Sequence, residues 1–383
     1  MTADLVIVGG GPAGSAAACL LARHGRRPLL LERETGAHDK VCGDFVSVEA
    51  QAALAALGLD VEALGGARIR RFRLVRGRQV AEADLPFAGV GLSRRVLDEA
   101  LLRRAAAAGA DLRRGAAARE VVADGADLRV DLRGGEAVAA RTVLLATGKH
   151  DLRRPQRQHA RSPSDLIGFK TYLRLAPSET RALRDHVEIV LFRGGYAGLQ
   201  MVEGGRVNLC LLVERTLFEA LGRSWDALLR GLEPACPHLA RRIDGADVLL
   251  DRPLAITRIP YGLVHRAEAG EPAGLFRLGD QLAVIPSFAG DGLAIALHTA
   301  RLAARHALAD GRAGPAFHRA AARHLRGQIR LASTLAALGR SRFGGLGIVA
   351  AGRACPALLR SLAALTRVPD RAAREAALGM PLR

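Results

Sequence analysis

The chain has 383 residues, a length that predicts two domains sharing an interface. Hydrophobic residues make up 49% of it, which excludes a disordered or collagen-like chain. The net charge of +18 would ordinarily indicate nucleic acid or an anionic membrane as a partner, but the arginines are scattered and aromatic residues make up only 4%. We therefore expect no nucleic-acid partner.

The cysteines and the apolar stretches indicate the compartment. Residues 5–8 are apolar without a preceding basic region, and every longer apolar stretch is interrupted well short of the ~20 residues that span a bilayer. We expect a cytoplasmic protein without a transmembrane segment. The five cysteines contain no CxxC pair, which predicts a reducing compartment, no disulfide and no metal site: Cys19, Cys42, Cys210, Cys236 and Cys355.

The N-terminal elements predict a βαβ unit. Residues 5–8 form a continuous apolar run typical of a buried parallel strand. After a glycine-rich turn, residues 13–24 have an Ala-rich and Leu-rich helix pattern that Gly25 closes. Residues 28–32 then form a second buried strand, which ends in Glu32.

The turn between the first strand and the helix fits the pattern GxGxxG. Gly9 permits the tight turn, Gly11 lets the backbone approach a pyrophosphate, and Gly14 lets helix and strand pack closely. The helix N-terminus presents free N–H groups and a partial positive charge to phosphates. Glu32 stands 18 residues beyond Gly14, where an acid can hydrogen-bond ribose hydroxyls. The sequence therefore predicts a dinucleotide-binding site.

The middle of the chain predicts one more helix and two kinds of strand. Residues 94–108 form an amphipathic helix, 111–122 have strand character, and 143–146 form an apolar strand. Residues 167–213 alternate between short strands and turns, which predicts an antiparallel sheet.

The last part of the chain is predominantly helical. Residues 216–242 have a mostly helical pattern, and 275–278 form a short strand. A long helix begins at residue 293, and the C-terminal third is helical.

Residues 6–14, followed by 31–33, resemble the FAD-binding opening of the p-hydroxybenzoate hydroxylase-type flavoproteins. That group includes aromatic hydroxylases, flavin halogenases and geranylgeranyl reductases. Later segments are similar to its RxxFD helix, its ATG turn, its GD motif and its PxxGxG turn: Arg94-x-x-Leu97-Asp98, residues 145–148, Gly279-Asp280, and Pro286 with Gly290-Asp291-Gly292. The resemblance implies FAD contacts at Gly9, Gly11, Pro12, Ala13, Gly14, Glu32, Arg33, Cys42, Gly43, Arg94, Val121, Thr147, Gly148, Gly279, Asp280, Pro286, Gly290, Asp291 and Gly292.

The resemblance also implies individual roles. Arg94 lies by the FAD phosphates, and Asp280 hydrogen-bonds the ribityl chain. The helix after Gly292 points its N-terminus at the flavin pyrimidine ring, where a helix dipole stabilises the negative charge of the reduced flavin. No second GxGxxG unit follows, which suits a reductant, NADPH or NADH, that docks transiently.

The segment Lys40-Val41-Cys42-Gly43-Asp44 resembles the CGD or CGE segment that lies near the flavin in the geranylgeranyl reductase branch. Cys42 and Asp44 are therefore the candidate catalytic residues. A cysteine beside a flavin could tune its potential or donate a proton to a reduced product. The alternative, a small buried residue in a tight turn, stays open.

We expect an α/β fold with a Rossmann-type FAD-binding domain, a smaller substrate domain with an antiparallel sheet, and a helical C-terminal segment. Because the sequence has no internal repeat and no low-complexity linker, we expect the two domains to be interleaved. The FAD-binding domain takes residues 1–65, 90–165 and 255–330, the substrate domain takes 66–89 and 166–254, and the C-terminal helices take 331–383.

Three functions are open at this point. The leading hypothesis is a monooxygenase that oxidises a small apolar or aromatic substrate, polyketide- or isoprenoid-like, by analogy with much of the group. The second is a geranylgeranyl reductase-like ene-reductase, which Cys42 supports. The third is a non-catalytic flavoprotein or membrane-surface binder that uses the Arg-bearing apolar stretch 331–365. The oligomeric state is left open.

Three single residues refine these hypotheses. The only tryptophan, Trp225, is not near residues 196–198, where the halogenases and reductases of the group often have one, and this weakens a halogenase interpretation. Lys170 and His298 lie alone in long elements, so solvation or a local partner is the favoured interpretation of both.

Overall fold

Two mixed β-sheets organise the chain in its computed structural model, which describes residues 2–157 and 165–378. The strands are β1 (Thr2–Val8), β2 (Leu29–Glu32), β3 (Phe45–Val46), β4 (Ala67–Arg76), β5 (Gln79–Gly91), β6 (Asp111–Arg114), β7 (Ala118–Asp124), β8 (Asp127–Leu132), β9 (Ala137–Leu145), β10 (Leu166–Arg174), β11 (Asp185–Phe192), β12 (Gly195–Met201), β13 (Val207–Glu214), β14 (Asp247–Val248), β15 (Leu254–Thr257) and β16 (Leu275–Arg277). The helices are α1 (Pro12–Arg23), α2 (Val48–Ala56), α3 (Arg94–Ala107), α4 (Pro177–Leu183), α5 (Arg215–Ala220), α6 (Trp225–Leu232), α7 (Pro237–Ile243), α8 (Gly292–Ala309), α9 (Gly314–Arg340), α10 (Arg342–Ala354), α11 (Pro356–Leu365) and α12 (Asp370–Glu375).

The first sheet has the Rossmann-type arrangement that the sequence predicts. Its strands follow the order β6-β2-β1-β9-β8-β7, and β16 also pairs with β9. β6, β2, β1, β9 and β16 are parallel, whereas β7 and β8 add an antiparallel extension. β1 lies in the middle because residues 5–8 are apolar on both faces and at most 3% exposed. Residues of α1, α3 and α8 pack in one core against one face.

The second sheet is assembled from segments far apart in the sequence. Its order is β14-β10-β13-β12-β11-β4-β5-β3, and β15 also pairs with β10. Its pairs are antiparallel, as predicted, except that β4 and β11 are parallel. β3, which the domain prediction puts in the FAD-binding part, pairs with β5 in this sheet.

Helices cover both faces of the second sheet. Leu228 and Leu232 of α6, with Leu239 of α7, pack against one face in a core of their own. Val349 of α10 and Leu359 of α11 belong to the core of the other face. The described residues contain no single helix long and apolar enough to cross a bilayer; only a bent pair, Arg342–Ala354 and Pro356–Glu375 at 114°, passes that test of length and composition.

Candidate active site

The glycine turn after β1 has the close contacts that its pattern predicts. Gly9 has φ +106, and its N–H donates to the carbonyl of Leu31 at 2.8 Å. A Cβ on Gly14 would stand 1.9 Å from the Gly9 carbonyl oxygen, so no larger residue fits there. The turn thus places the N-terminus of α1 directly beyond the end of β1.

Gly11 borders open space and not other parts of the protein. The only heavy atom of the described residues within 4 Å of a Cβ at this position is Nη2 of Arg94, at 3.6 Å. α1 begins here without a side-chain cap and without an acid in its first turn. Its free N–H groups and the Arg94 guanidinium therefore provide donors for an anion.

Arg94 is fixed at the start of α3 by an ion pair with Asp98, an acid that also pairs with Lys40. Its Nε and Nη2 donate to Asp98 at 2.7 and 2.8 Å, and Lys40 also donates to Asp98 at 2.8 Å. Burial alone would lower the pKa of Arg94, but Asp98 and the adjacent Cys42 thiol hold that pKa above its usual value. A permanently charged guanidinium therefore lies beside the glycine turn.

The acid at the end of β2 is buried against the same turn. Glu32 is 5% exposed and accepts hydrogen bonds from the backbone N–H groups of Gly10 at 2.7 Å and Glu34 at 2.9 Å. Its contact with a ribose stays a prediction. Arg33 is exposed and pairs with Glu34 at 3.0 Å.

The turns after β9 and β16 lie next to the glycine turn. A Cβ on Gly9 would stand 2.5 Å from the Ala146 carbonyl oxygen, and a Cβ on Gly279 would stand 3.3 Å from Cβ of Ala13. Gln281 links these turns because its side-chain amide donates to the carbonyl of Gly148 at 2.8 Å. The structure thus brings together the carboxyl ends of β1, β9 and β16, which is where ligands bind in such sheets.

Three of the predicted FAD contacts lie in different surroundings. Thr147 donates its hydroxyl to the carbonyl of His150 at 2.7 Å, which closes its own turn. Val121 lies in β7, where it pairs with Val130, is 4% exposed and packs in the core on the far face of the first sheet. Asp280, after Gly279, is partly exposed.

The turn before α8 faces both the cavity and the interior. Gly290, four residues after Pro286, has φ +67, and a Cβ there would stand 2.9 Å from the Phe45 ring. Asp291 is fully buried, and its carboxylate accepts from Ser47 at 3.2 Å and from Arg367 at 3.3 Å. Burial raises the pKa of Asp291 to about 7.

Asp291→Asn should therefore change how stability depends on pH. A folded pKa near 7, above the ordinary value for an aspartate, means that the native state holds a proton which the unfolded chain releases. The contribution of the protonated Asp291 to the stability of the native protein is complete at pH below about 4 and is lost as the pH rises through about 7. Thermal unfolding of both proteins is measured at about pH 5 and about pH 8. The free energy of unfolding of the variant, relative to that of the native protein, should be roughly 2 kcal/mol higher at the higher pH. An equal difference at both values would contradict this.

The loop with Cys42 and Asp44 connects the two sheets. Cys42 and Gly43 line a cavity, and the Cys42 carbonyl accepts from Asn208 of β13 at 3.1 Å. Asp44, with φ +57 and no exposed surface, accepts at one oxygen from Lys170 at 2.6 Å and from Tyr172 at 2.7 Å. Burial raises the pKa of Asp44, and the two donors oppose that rise.

The favoured interpretations of Lys170 and His298 need correction. Lys170 is fully buried and its partner Asp44 is 126 residues away, so it is neither solvated nor paired locally. His298 is also buried, and its Nε2 lies 3.1 Å from Nδ1 of His324, on α9. Burial lowers the pKa of His298 to about 3.

The cavity, of about 170 Å³, lies between the second sheet and α9, α10 and α11. Apolar side chains such as Leu74, Ile189 and Leu359 dominate its lining, and Cys42, Gly43 and Lys149 border it. Sequence reasoning missed Lys149, although it follows the Thr147–Gly148 turn directly. Other polar residues that line the cavity include Tyr196, Gln200, Cys210, Tyr261, Ser287, Arg340 and Arg367.

One buried cluster could, by composition, hold a metal: His265, Glu271 and His318. The hydrogen bonds favour a different role. Nε2 of His318 accepts the backbone N–H of Arg277 at 3.0 Å, which leaves the proton on Nδ1, 3.3 Å from Glu271. Arg277 donates to the same carboxylate at 2.9 Å. The cluster is thus an ion-paired contact between α9 and the segment before β16.

The glycine-lined side of the site fits an FAD molecule. No described heavy atom lies within 4 Å of a Cβ built on Gly43, Gly148 or Gly292, so side chains there would fill space that a bound group can use. The donors around this space are backbone N–H groups and the Arg94 guanidinium, which suit a pyrophosphate. The apolar cavity begins at the same Cys42–Gly43 loop.

Comparison with known proteins gives a consistent result. The profile of a family described as FAD binding domain matches residues 2–156. A menaquinone reductase of Mycobacterium tuberculosis is 30% identical over 316 residues, which cover 79% of this chain and 76% of the relative. Digeranylgeranylglycerophospholipid reductase 2 of Methanopyrus kandleri is 31% identical over 242 residues, 61% of this chain and 60% of the relative.

Solved structures share the fold. A flavin-dependent brominase has a TM-score of 0.77 at 19% identity, with 96% of this chain and 93% of that chain covered. The myxobacterial chondrochloren halogenase has a TM-score of 0.74 at 21% identity, with 98% and 95% covered. The family profile and the sequence relatives establish that the chain belongs to the FAD-dependent oxidoreductases of the p-hydroxybenzoate hydroxylase type.

Proposed function

We propose that the protein is an FAD-dependent reductase that saturates a carbon–carbon double bond in a polyprenyl chain. The observation that carries the proposal is the apolar cavity, which begins at Cys42 beside the glycine-lined site and continues under α10 and α11. A long hydrocarbon chain suits such a lining, because it needs few hydrogen-bond partners.

The relatives support the same substrate class. Menaquinone and digeranylgeranylglycerophospholipid, which the names of the two relatives contain, both carry polyprenyl chains. Both names also describe reductases. The monooxygenase hypothesis draws support from the group's common chemistry and from halogenase structures below 25% identity, which share the fold alone.

Reduced FAD, when bound, supplies the hydride of such a reduction. We assign the matching proton to the Cys42 thiol, which lines the cavity and can regain a proton from solvent. Arg94, adjacent to Cys42, stabilises the thiolate left behind. The uncapped N-terminus of α8 at Gly292 offers a positive dipole end to an anion in the site. The proposed electron source is NADPH or NADH, docked transiently.

An anaerobic assay separates the hypotheses. The FAD-loaded protein is mixed with menaquinone, or with the digeranylgeranyl phospholipid, and with NADPH or NADH in heavy water. We expect lipid products that gain two hydrogens per reduced bond, at least one of them deuterium from the solvent, and for menaquinone the gain persists after air reoxidises the quinone ring. A product one oxygen heavier that forms only in air would establish the monooxygenase instead.

Cys42→Ala tests the assigned proton donor. We expect full FAD content and a turnover lower by about 10²-fold, since the second carbon loses its acid. Cys210→Ala is the matched control, because Cys210 lines the same cavity and burial raises its pKa to about 12. Equal turnover in the two variants would return Cys42 to a structural role.

A further inference from the structure

We propose that the outer face of α10 and α11 docks on an anionic lipid bilayer. The delivery of a lipid substrate through this face rests on the proposed function, whereas docking itself does not. The face is defined by Leu338, at the end of α9, with Phe343 and Leu346 of α10, and Leu358 and Leu365 of α11.

Large exposed apolar side chains concentrate on this face. Eight such side chains occur among residues 2–157 and 165–378, and five of them are the five that define the face. Phe343 is 78% exposed and Leu365 is 62% exposed. Contiguous exposed apolar side chains of this kind mark interaction surfaces, whereas single scattered ones are ordinary on a protein surface.

Both helices are apolar on their outer as well as their inner sides. In α10, Gly345 and Val349 are buried against the protein, while Phe343 and Leu346, three residues apart, face outward. In α11 the single buried residue Leu359 is opposed by outward apolar neighbours. A helix on the surface of a water-soluble domain normally carries polar residues on its outer side.

The charge of this region matches an anionic surface. Residues 311–369 contain ten arginines and no aspartate or glutamate. Arg342, Arg353 and Arg360 are exposed within α10 and α11, between the apolar residues of the face. Apolar side chains flanked by arginine are the pattern of interfacial helices, in which rings and alkyl groups enter the acyl boundary while guanidinium groups contact phosphates.

The inner sides of the same helices line the cavity. Ile348 of α10, with Leu359 and Leu362 of α11, belong to its wall. Substrate chains dissolved in a bilayer would therefore meet the cavity wall directly behind the docked face. A second copy of the chain is the less favoured occupant, because a symmetric contact would bring the same arginines together.

Vesicle flotation of the FAD-loaded protein tests the docking. We expect binding to vesicles that contain about one-third phosphatidylglycerol, at least tenfold weaker binding to pure phosphatidylcholine, and weakening by salt. Phe343→Ser and, separately, Leu365→Ser should each lower binding severalfold with FAD content unchanged. Val248→Ser is the apolar control, since Val248 is 59% exposed outside the face.

The charge requirement is tested in the same assay. A triple variant in which Arg342, Arg353 and Arg360 are all changed to glutamate should not bind the vesicles. The same change at three exposed arginines outside the face should leave most of the vesicle binding: Arg133, Arg153 and Arg174. The proposal would be overturned if both triple variants lost binding equally, or if the native protein did not bind the vesicles. It would also be overturned by a dimer that Phe343→Ser dissociates while no vesicle binding is seen. Turnover of detergent-dissolved lipid, measured in parallel, reports on the proposed function independently.

Discussion

Gly11→Val should give a folded but colourless protein. The backbone at Gly11, with φ −72 and ψ −176, is one that valine adopts easily, and a Cβ there meets only Arg94 Nη2 at 3.6 Å. The isopropyl group would instead fill the space into which a pyrophosphate must come. We expect the ratio of flavin absorbance to protein to fall at least about tenfold, with the far-ultraviolet circular dichroism unchanged.

Substitutions at two other glycines provide comparisons for the Gly11→Val variant. Gly14→Ala should impair folding itself, because its Cβ would collide with the Gly9 carbonyl oxygen at 1.9 Å. Gly327→Val, on the exposed side of α9 with no described heavy atom within 4 Å, should leave flavin content unchanged. A Gly11→Val protein that purifies with stoichiometric FAD would refute the assignment of the glycine turn.

Lys170→Met should lower the free energy of unfolding by about 3–5 kcal/mol. The variant removes the charged partner of Asp44 and leaves this buried acid, among the described residues, with the Tyr172 hydroxyl as its one side-chain donor. Urea unfolding followed by the fluorescence of Trp225, whose ring lies 5.7 Å from Phe169 in the same part of the sheet, measures this loss.

The loss should depend on pH in a defined direction. Without Lys170 the pKa of Asp44, already raised by burial, rises further, so the folded state prefers the protonated acid. A folded pKa above the unfolded one means that stability is retained at low pH and lost as the pH rises. The free energy of unfolding of Lys170→Met should therefore be closest to that of the native protein near pH 5 and furthest below it near pH 8.

Two controls separate a buried charge from a general effect of losing lysine. Adding Asp44→Asn to Lys170→Met should restore most of the stability, since no charge then stays buried. Lys40→Met should cost less than about 1.5 kcal/mol, because Asp98 keeps both hydrogen bonds from Arg94. A full loss in the double variant would contradict the ion-pair explanation.

The sequence was sufficient to predict the parts of the site that are contiguous in the chain. The glycine turn, Arg94 and the turns at 147–148 and 279–280 lie in motifs, and parallel strands bring their carboxyl ends to one edge. Their convergence therefore follows from the strand order of a Rossmann-type sheet.

What the sequence did not predict depends on contacts between distant segments. The pairing of Asp44 with Lys170 and Tyr172 requires the Cys42 loop to cross onto β10, and no local pattern encodes that crossing. The same is true of β4 beside β11 and of Asp291 with Arg367. A helical pattern runs over residues 216–242, but Ser224, which caps α6, and Pro237, which starts α7, divide this stretch into three helices.

The pairing of β4 with β11 also governs how the protein can be dissected. Residues 2–156, which match an FAD binding domain, include the β4–β5 hairpin but not its neighbour β11, and they lack β16 of the first sheet. A fragment cut there would present an unpaired strand edge and an uncovered apolar face, the features that lead to aggregation. The recognisable motif and the smallest autonomous folding unit are therefore different stretches of chain, and the sheet that carries the glycine turn is inseparable from the sheet that lines the cavity.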